Sequence, residues 1–83
     1  MAGIQPVLYT QTGCADSRNV AGWLADQGVA FTERNVTGDN DAARELLATG
    51  RFGTPLLVVG ETTVIGFRPA LLAAALGIAE TEG

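Results

Sequence analysis

A chain of 83 residues with 47% hydrophobic and 17% charged content describes one folded domain over 1–83 with a modest core, not a disordered tail. Its net charge of −4, nine acids against five arginines without lysine or histidine, provides no electrostatic footprint for nucleic acid or an anionic membrane. The single cysteine excludes an internal disulfide and, without histidine, leaves almost nothing to hold a metal.

In chain order, "PVLYT" (6–10) is short, apolar and bounded by Pro6 and by Thr12-Gly13, which predicts a buried strand. From 15 to 27, Val20, Trp23, Leu24 and Gln27 recur at helical spacing, and Gly28 stands where a helix ends. "AFTERNV" (30–36) reads as a strand with broken alternation. Residues 37–50 open on Asp39, Asn40 and Asp41, which suit a helix N-terminus, and offer Ala43, Leu46 and Leu47 as an apolar face before Gly50. "PLLVV" (55–59) and "TTVIG" (62–66) flank Gly60-Glu61, a two-residue hairpin loop. "RPALLAAAL" (68–76) predicts a helix with Pro69 in its first turn and Gly77 beyond its end.

The predicted order is β-α-β-α-β-β-α: an α/β fold with a four-stranded mixed sheet flanked by three helices, opening on a parallel β-α-β unit. "ALLAAALGIA" (70–79) is too short to span a bilayer, and "MAGIQPVLYT" lacks the basic and apolar regions of a signal peptide. With one cysteine, a reducing, cytoplasmic setting is the expectation.

In open α/β sheets the site lies beyond the carboxyl ends of the strands. Cys14 falls there, after the first strand and at the start of the first helix. Unpaired helix N–H groups and the helix dipole favour a thiolate. Arg18, four residues on, adds positive charge on the same side, and the Asp16 carboxylate opposes both. Most free cysteines are inert small hydrophobes, but the polar setting of Thr12, Gly13, Asp16 and Ser17 argues against that here. Trp23 reads as helix packing, and Ser17 as either a donor to the thiolate or an ordinary first-turn residue.

Across nearly its whole length the chain resembles the glutaredoxin family of the thioredoxin fold. "YTQTGCADS" resembles the strand-to-active-site segment, "ERNV" the second strand, "GTP" (53–55) the segment with the family's cis-proline, and "GFRP" (66–69) the entry of the last helix. The last segment is closest to the glutaredoxin-like redoxins that serve ribonucleotide reductase. The resemblance implies thiol–disulfide exchange with Cys14 as nucleophile. It makes Thr54 and Pro55 the wall that pairs with a substrate backbone, and Gln11, Arg51, Gly66, Phe67 and Arg68 the groove around it. It also implies mixed disulfides of proteins or small molecules as substrates, a thioredoxin-reductase-like protein as reductant, and a monomer.

The departures shape the expected chemistry. Ser17 stands where the resolving cysteine of C-x-x-C belongs, Ala15 replaces the usual proline, and Gln11 sits where a basic residue is frequent. "GFRPA" lacks the glycine-and-acid motif that contacts glutathione. The expectation is a monothiol redox protein with no bound cofactor or metal, using a low-molecular-weight thiol (glutathione, mycothiol or bacillithiol) as co-substrate. Two alternatives stand beside it: a dithiol redoxin whose resolving cysteine was replaced by Ser17, and a non-catalytic adaptor that holds peptides along the Pro55 groove.

Overall fold

The computed structural model describes residues 5–78; the first residues of the segment read for a leader, and residues 79–83, lie outside it. The elements are β1 (Val7–Thr10), α1 (Ala15–Asp26), β2 (Thr32–Asn35), α2 (Asn40–Ala48), β3 (Leu56–Val59), β4 (Thr62–Ile65) and α3 (Pro69–Leu76). They follow the predicted order, trimmed by a residue or two at most ends. The strands lie β2-β1-β3-β4, with β1 parallel to β2 and antiparallel to β3, and β3 antiparallel to β4. This is the thioredoxin-like arrangement.

Pleating divides the apolar side chains between two faces, because successive residues in a strand point opposite ways. Leu8 pairs with Leu57, and Leu57 with Val64. These three share one face, where they pack with Val20 and Leu24 of α1 and Leu72 of α3. Trp23 is half-buried against the same cluster, as helix packing requires. The neighbouring register, Tyr9 with Leu56, faces the other way and meets Leu46 of α2. Two helices therefore cover one face and a single helix covers the other.

The face of α2 differs from the sequence expectation. Asp39 is the N-cap, its side chain accepting from the Ala42 N–H, and this phases the helix so that Ala42 and Leu46 are buried. Leu47 lies about 100° further round and is 57% exposed. A polar knot ties this helix to the sheet. Arg34 donates twice to the Glu45 carboxylate, at 3.0 and 2.7 Å, and Tyr9 Oη donates to the same group at 3.3 Å. Arg34 thereby holds the Glu45 carboxyl below the usual carboxylate range, and burial, then Glu45, pushes the Tyr9 phenol up.

β2 is the strand whose alternation looked broken, and its position explains why. It is an edge strand carrying Thr32, Glu33, Arg34 and Asn35, of which only Arg34 is partly buried.

Candidate active site

β1, β3 and β4 bring three segments to one end of the sheet: the loop from Gln11 to Cys14, the Thr54–Pro55 step before β3, and Gly66 after β4. The first is a tight turn. Gly13 takes φ +83°, a backbone region costly for a residue with a Cβ, and Cys14 N–H closes the turn onto the Gln11 carbonyl at 3.2 Å. Cys14 then becomes the N-cap of α1 in extended conformation, its sulfur accepting from the Ser17 N–H at 3.4 Å. The thiol donates toward the Thr54 carbonyl at 4.0 Å, and the Thr54–Pro55 bond is cis.

Hydrogen bonds also tie the residues around the sulfur to one another. Thr54 Oγ1 donates to Gln11 Oε1 at 3.1 Å, the Gln11 N–H donates to Ser17 Oγ at 3.3 Å, and the Gly66 N–H donates to the Pro55 carbonyl at 2.9 Å. Ser17 is the notable member, being only 2% exposed although polar. Its hydroxyl accepts from Gln11 while keeping a proton to offer the sulfur.

These contacts set the acidity of the thiol. Cys14 is held below the ordinary cysteine range, first by the Ser17 hydroxyl and then by the Ser17 N–H, with smaller help from the Asp16 N–H; partial burial works the other way. The source differs from the sequence expectation. Arg18 and the Asp16 carboxylate are not what moves the thiol. Both side chains are exposed, where water screens charge, whereas the first-turn donors have fixed positions beside the sulfur.

Sequence reasoning passed over a bracing cluster behind the loop. The Thr12 N–H donates to Thr37 Oγ1 at 3.0 Å, Asn35 Nδ2 donates to Thr12 Oγ1 at 3.0 Å, and the Thr37 N–H donates to Asn35 Oδ1 at 2.8 Å. Thr10, which unlike these three is buried, donates to Glu33 Oε2 at 2.7 Å. The visible signal was "NVTGD" (35–39), an asparagine two residues before a threonine at a glycine turn, a setting where side chains bond nearby backbone. Of the remaining residues expected at the site, Arg51 and Arg68 line a separate hollow along β4 and α3. Phe67 is exposed between Gly66 and Arg68.

Beyond its own geometry, the chain is similar to known proteins in sequence and in fold. The family model described as Glutaredoxin matches residues 7–64. The chain belongs to the glutaredoxin family. This glutaredoxin is 26% identical over 66 residues to the glutaredoxin-like protein NrdH of Lactococcus lactis subsp. cremoris, covering 80% of this chain and 92% of that protein. Among solved structures it is similar to the thioredoxin-like protein BC3987, with a TM-score of 0.80 and 29% identity over 86% of this chain and 99% of that one. It is also similar to the NrdH-redoxin of Escherichia coli, with a TM-score of 0.76 and 25% identity over 86% and 93% of the two chains. The family acts on disulfide substrates, so this glutaredoxin is a thiol–disulfide redox protein. Among its described residues, no group of three or more His, Cys, Asp or Glu is placed to hold a metal ion, and no helix is long and apolar enough to cross a membrane.

Proposed function

We propose that this glutaredoxin works by a monothiol mechanism on mixed disulfides between a protein or small molecule and a low-molecular-weight thiol. The observation that carries the reading is the bonding of Cys14: its sulfur accepts the Ser17 N–H at the start of α1, and the position of a resolving thiol holds the buried Ser17 hydroxyl instead. The Cys14 thiolate attacks the small-thiol sulfur of the mixed disulfide. A new S–S bond forms, the old one breaks, and the target leaves as a thiolate that takes up a proton. A second small-thiol anion then attacks the captured sulfur, releasing the Cys14 thiolate and a small-molecule disulfide. The target sulfur is thereby reduced from disulfide to thiol level and the second small thiol is oxidised from thiol to disulfide level, while the captured small-thiol sulfur stays at disulfide level throughout.

Thr54 supports the same reading from the other side of the sulfur. In the proposed complex its backbone, ahead of Pro55, pairs with an extended substrate, and Gln11, held by the Thr54 hydroxyl, offers an amide to the small thiol. Ser17 is a positioning residue that steadies the thiolate without touching substrate.

The test is alkylation of the native chain by iodoacetamide across pH, with thiolate absorbance followed in parallel. A lowered thiol pKa means more thiolate at a given pH, so the midpoint falls below that of a free cysteine peptide. Ser17→Ala moves the midpoint up, because it removes the largest contribution, at a stability cost of about 1 kcal/mol for the hydrogen bond lost. A midpoint at the free-cysteine value in the native chain, or one that Ser17→Ala leaves in place, would sink the assigned role of this site.

A further inference from the structure

Among the described residues the sheet has two free edges, of opposite construction. β2 carries Glu33 and Arg34 among its four residues, charges of the kind that discourage pairing with another strand. β4 is Thr62-Thr63-Val64-Ile65, β-branched throughout, without charge or proline. Its register leaves particular backbone groups unpaired. Hydrogen-bonded and open pairs alternate along an antiparallel ladder, and Gly66 is bonded to Pro55. Leu57 with Val64 and Val59 with Thr62 are then bonded pairs, while Thr63 and Ile65 turn their N–H and C=O groups outward.

A hollow of about 440 Å³ follows this edge, bounded by β4, by Leu71, Ala74 and Ala75 of α3, and by Arg51 and Arg68. Ile65 and Leu71 remain 40% and 44% exposed there, and no acidic side chain among the described residues lines it. Arg34 and Arg44 have carboxylate partners, whereas Arg51 and Arg68 have none among the described residues. Two unpaired cations, an apolar floor and an open strand edge thus coincide in a protein of net charge −4. A second copy fits poorly, because antiparallel pairing of two β4 edges would gather four arginines.

The geometry points to the outer edge of β4 as the docking strand for an extended acidic segment of a protein disulfide substrate. The segment adds a fifth strand, seats aliphatic side chains on Ile65 and Leu71, and pairs carboxylates with Arg51 and Arg68. This rests on the disulfide-exchange reading and adds where the protein partner is held. The spacing is also set. β4 ends beside Pro55, at the same end of the sheet as Cys14, and the added strand lies three strand spacings from β1, ~14 Å. The partner's reactive cysteine therefore falls about four to five extended residues beyond the docked segment.

The test is titration of the full 15N-labelled chain with the cysteine-free heptapeptide Glu-Glu-Val-Val-Val-Glu-Glu, whose consecutive valines reach both faces of the added strand. The expected result is chemical-shift change and slowed amide exchange at Thr63 and Ile65, weakening with added salt. An Arg51→Glu/Arg68→Glu chain with a wild-type-like spectrum binds about tenfold or more weakly, and a lysine–valine counterpart does not bind. Shifts confined to residues 11–17 and Thr54, equal affinity in the double variant, or no shifts at millimolar peptide would overturn the proposal. A dimer of the free chain with its shifts at Thr63 and Ile65 would do the same by assigning the edge to a second copy. The peptide contains no sulfur, so these readouts are independent of Cys14: failed exchange chemistry would overturn the exchange reading and leave the titration result standing.

Discussion

Cys14→Ser is expected to abolish exchange with a glutathionylated peptide, a fall of at least about 10³-fold to the uncatalysed rate, while leaving the fold intact. The loss follows from chemistry: a serine oxygen stays protonated at neutral pH and forms no disulfide. The retained fold follows from the second role of the residue. Cys14 caps α1 through its side chain, and serine is among the best N-caps. The denaturation midpoint should therefore hold or rise slightly. Separating thiol transfer by mass spectrometry from the unfolding curve checks both halves. Residual exchange in the serine chain would mean that another group carries the reaction, and a collapsed fold would mean that the sulfur's role in α1 differs from a cap.

Leu24→Ala should cost about 2–5 kcal/mol. Leu24 is fully buried where α1 meets Leu8, Leu57 and Leu72, so truncation leaves a cavity that three other elements cannot easily close. At 0.05–0.15 kcal/mol per residue, a domain of this length has a total of ~4–12 kcal/mol, so the variant approaches unfolding at body temperature. Leu47→Ala, at the exposed position of α2, should stay within about 0.5 kcal/mol. Urea curves on the two variants decide it: similar midpoints would contradict the assignment of the core to the face between the sheet, α1 and α3.

The order of elements could be read from the sequence because punctuation and periodicity agree at nearly every boundary. Thr12-Gly13 ends β1, Gly28 follows α1, Gly60-Glu61 turns the hairpin, and Gly77 takes a left-handed conformation to close α3. Leu47 shows where that reading fails. A nine-residue helix holds barely more than two turns, so a one-residue change in its start decides which leucine is buried, and the start depends on Asp39 bonding to Ala42. The place of Cys14 at the start of α1 was legible from its position after β1, but the cause of its lowered pKa was not. A charged neighbour such as Arg18 is visible as a letter, whereas the inward turn of the Ser17 hydroxyl depends on Gln11 being folded back over the helix start. The brace of Thr12, Asn35 and Thr37 was hidden for a similar reason, since it joins residues 23 to 25 apart along the chain and only the parallel pairing of β1 with β2 brings them together.

In the proposed mechanism the attacking sulfur is also the atom that closes the first turn of α1, so its covalent state and the order of that turn would form one equilibrium. A disulfide sulfur is a weaker acceptor than a thiolate, and capture of a small thiol takes away the partner of the Ser17 N–H. With a cap worth about 0.5–2 kcal/mol and 1.4 kcal/mol equal to about 30 mV, the loaded form is shifted toward stronger oxidant by ~10–40 mV. Helix fraying is thus coupled to redox poise: the first turn loosens when the thiol is loaded, and its re-formation favours discharge. Amide exchange at Ser17 should be faster in the chain carrying glutathione on Cys14 than in the reduced chain, and equal rates in the two states would break that coupling.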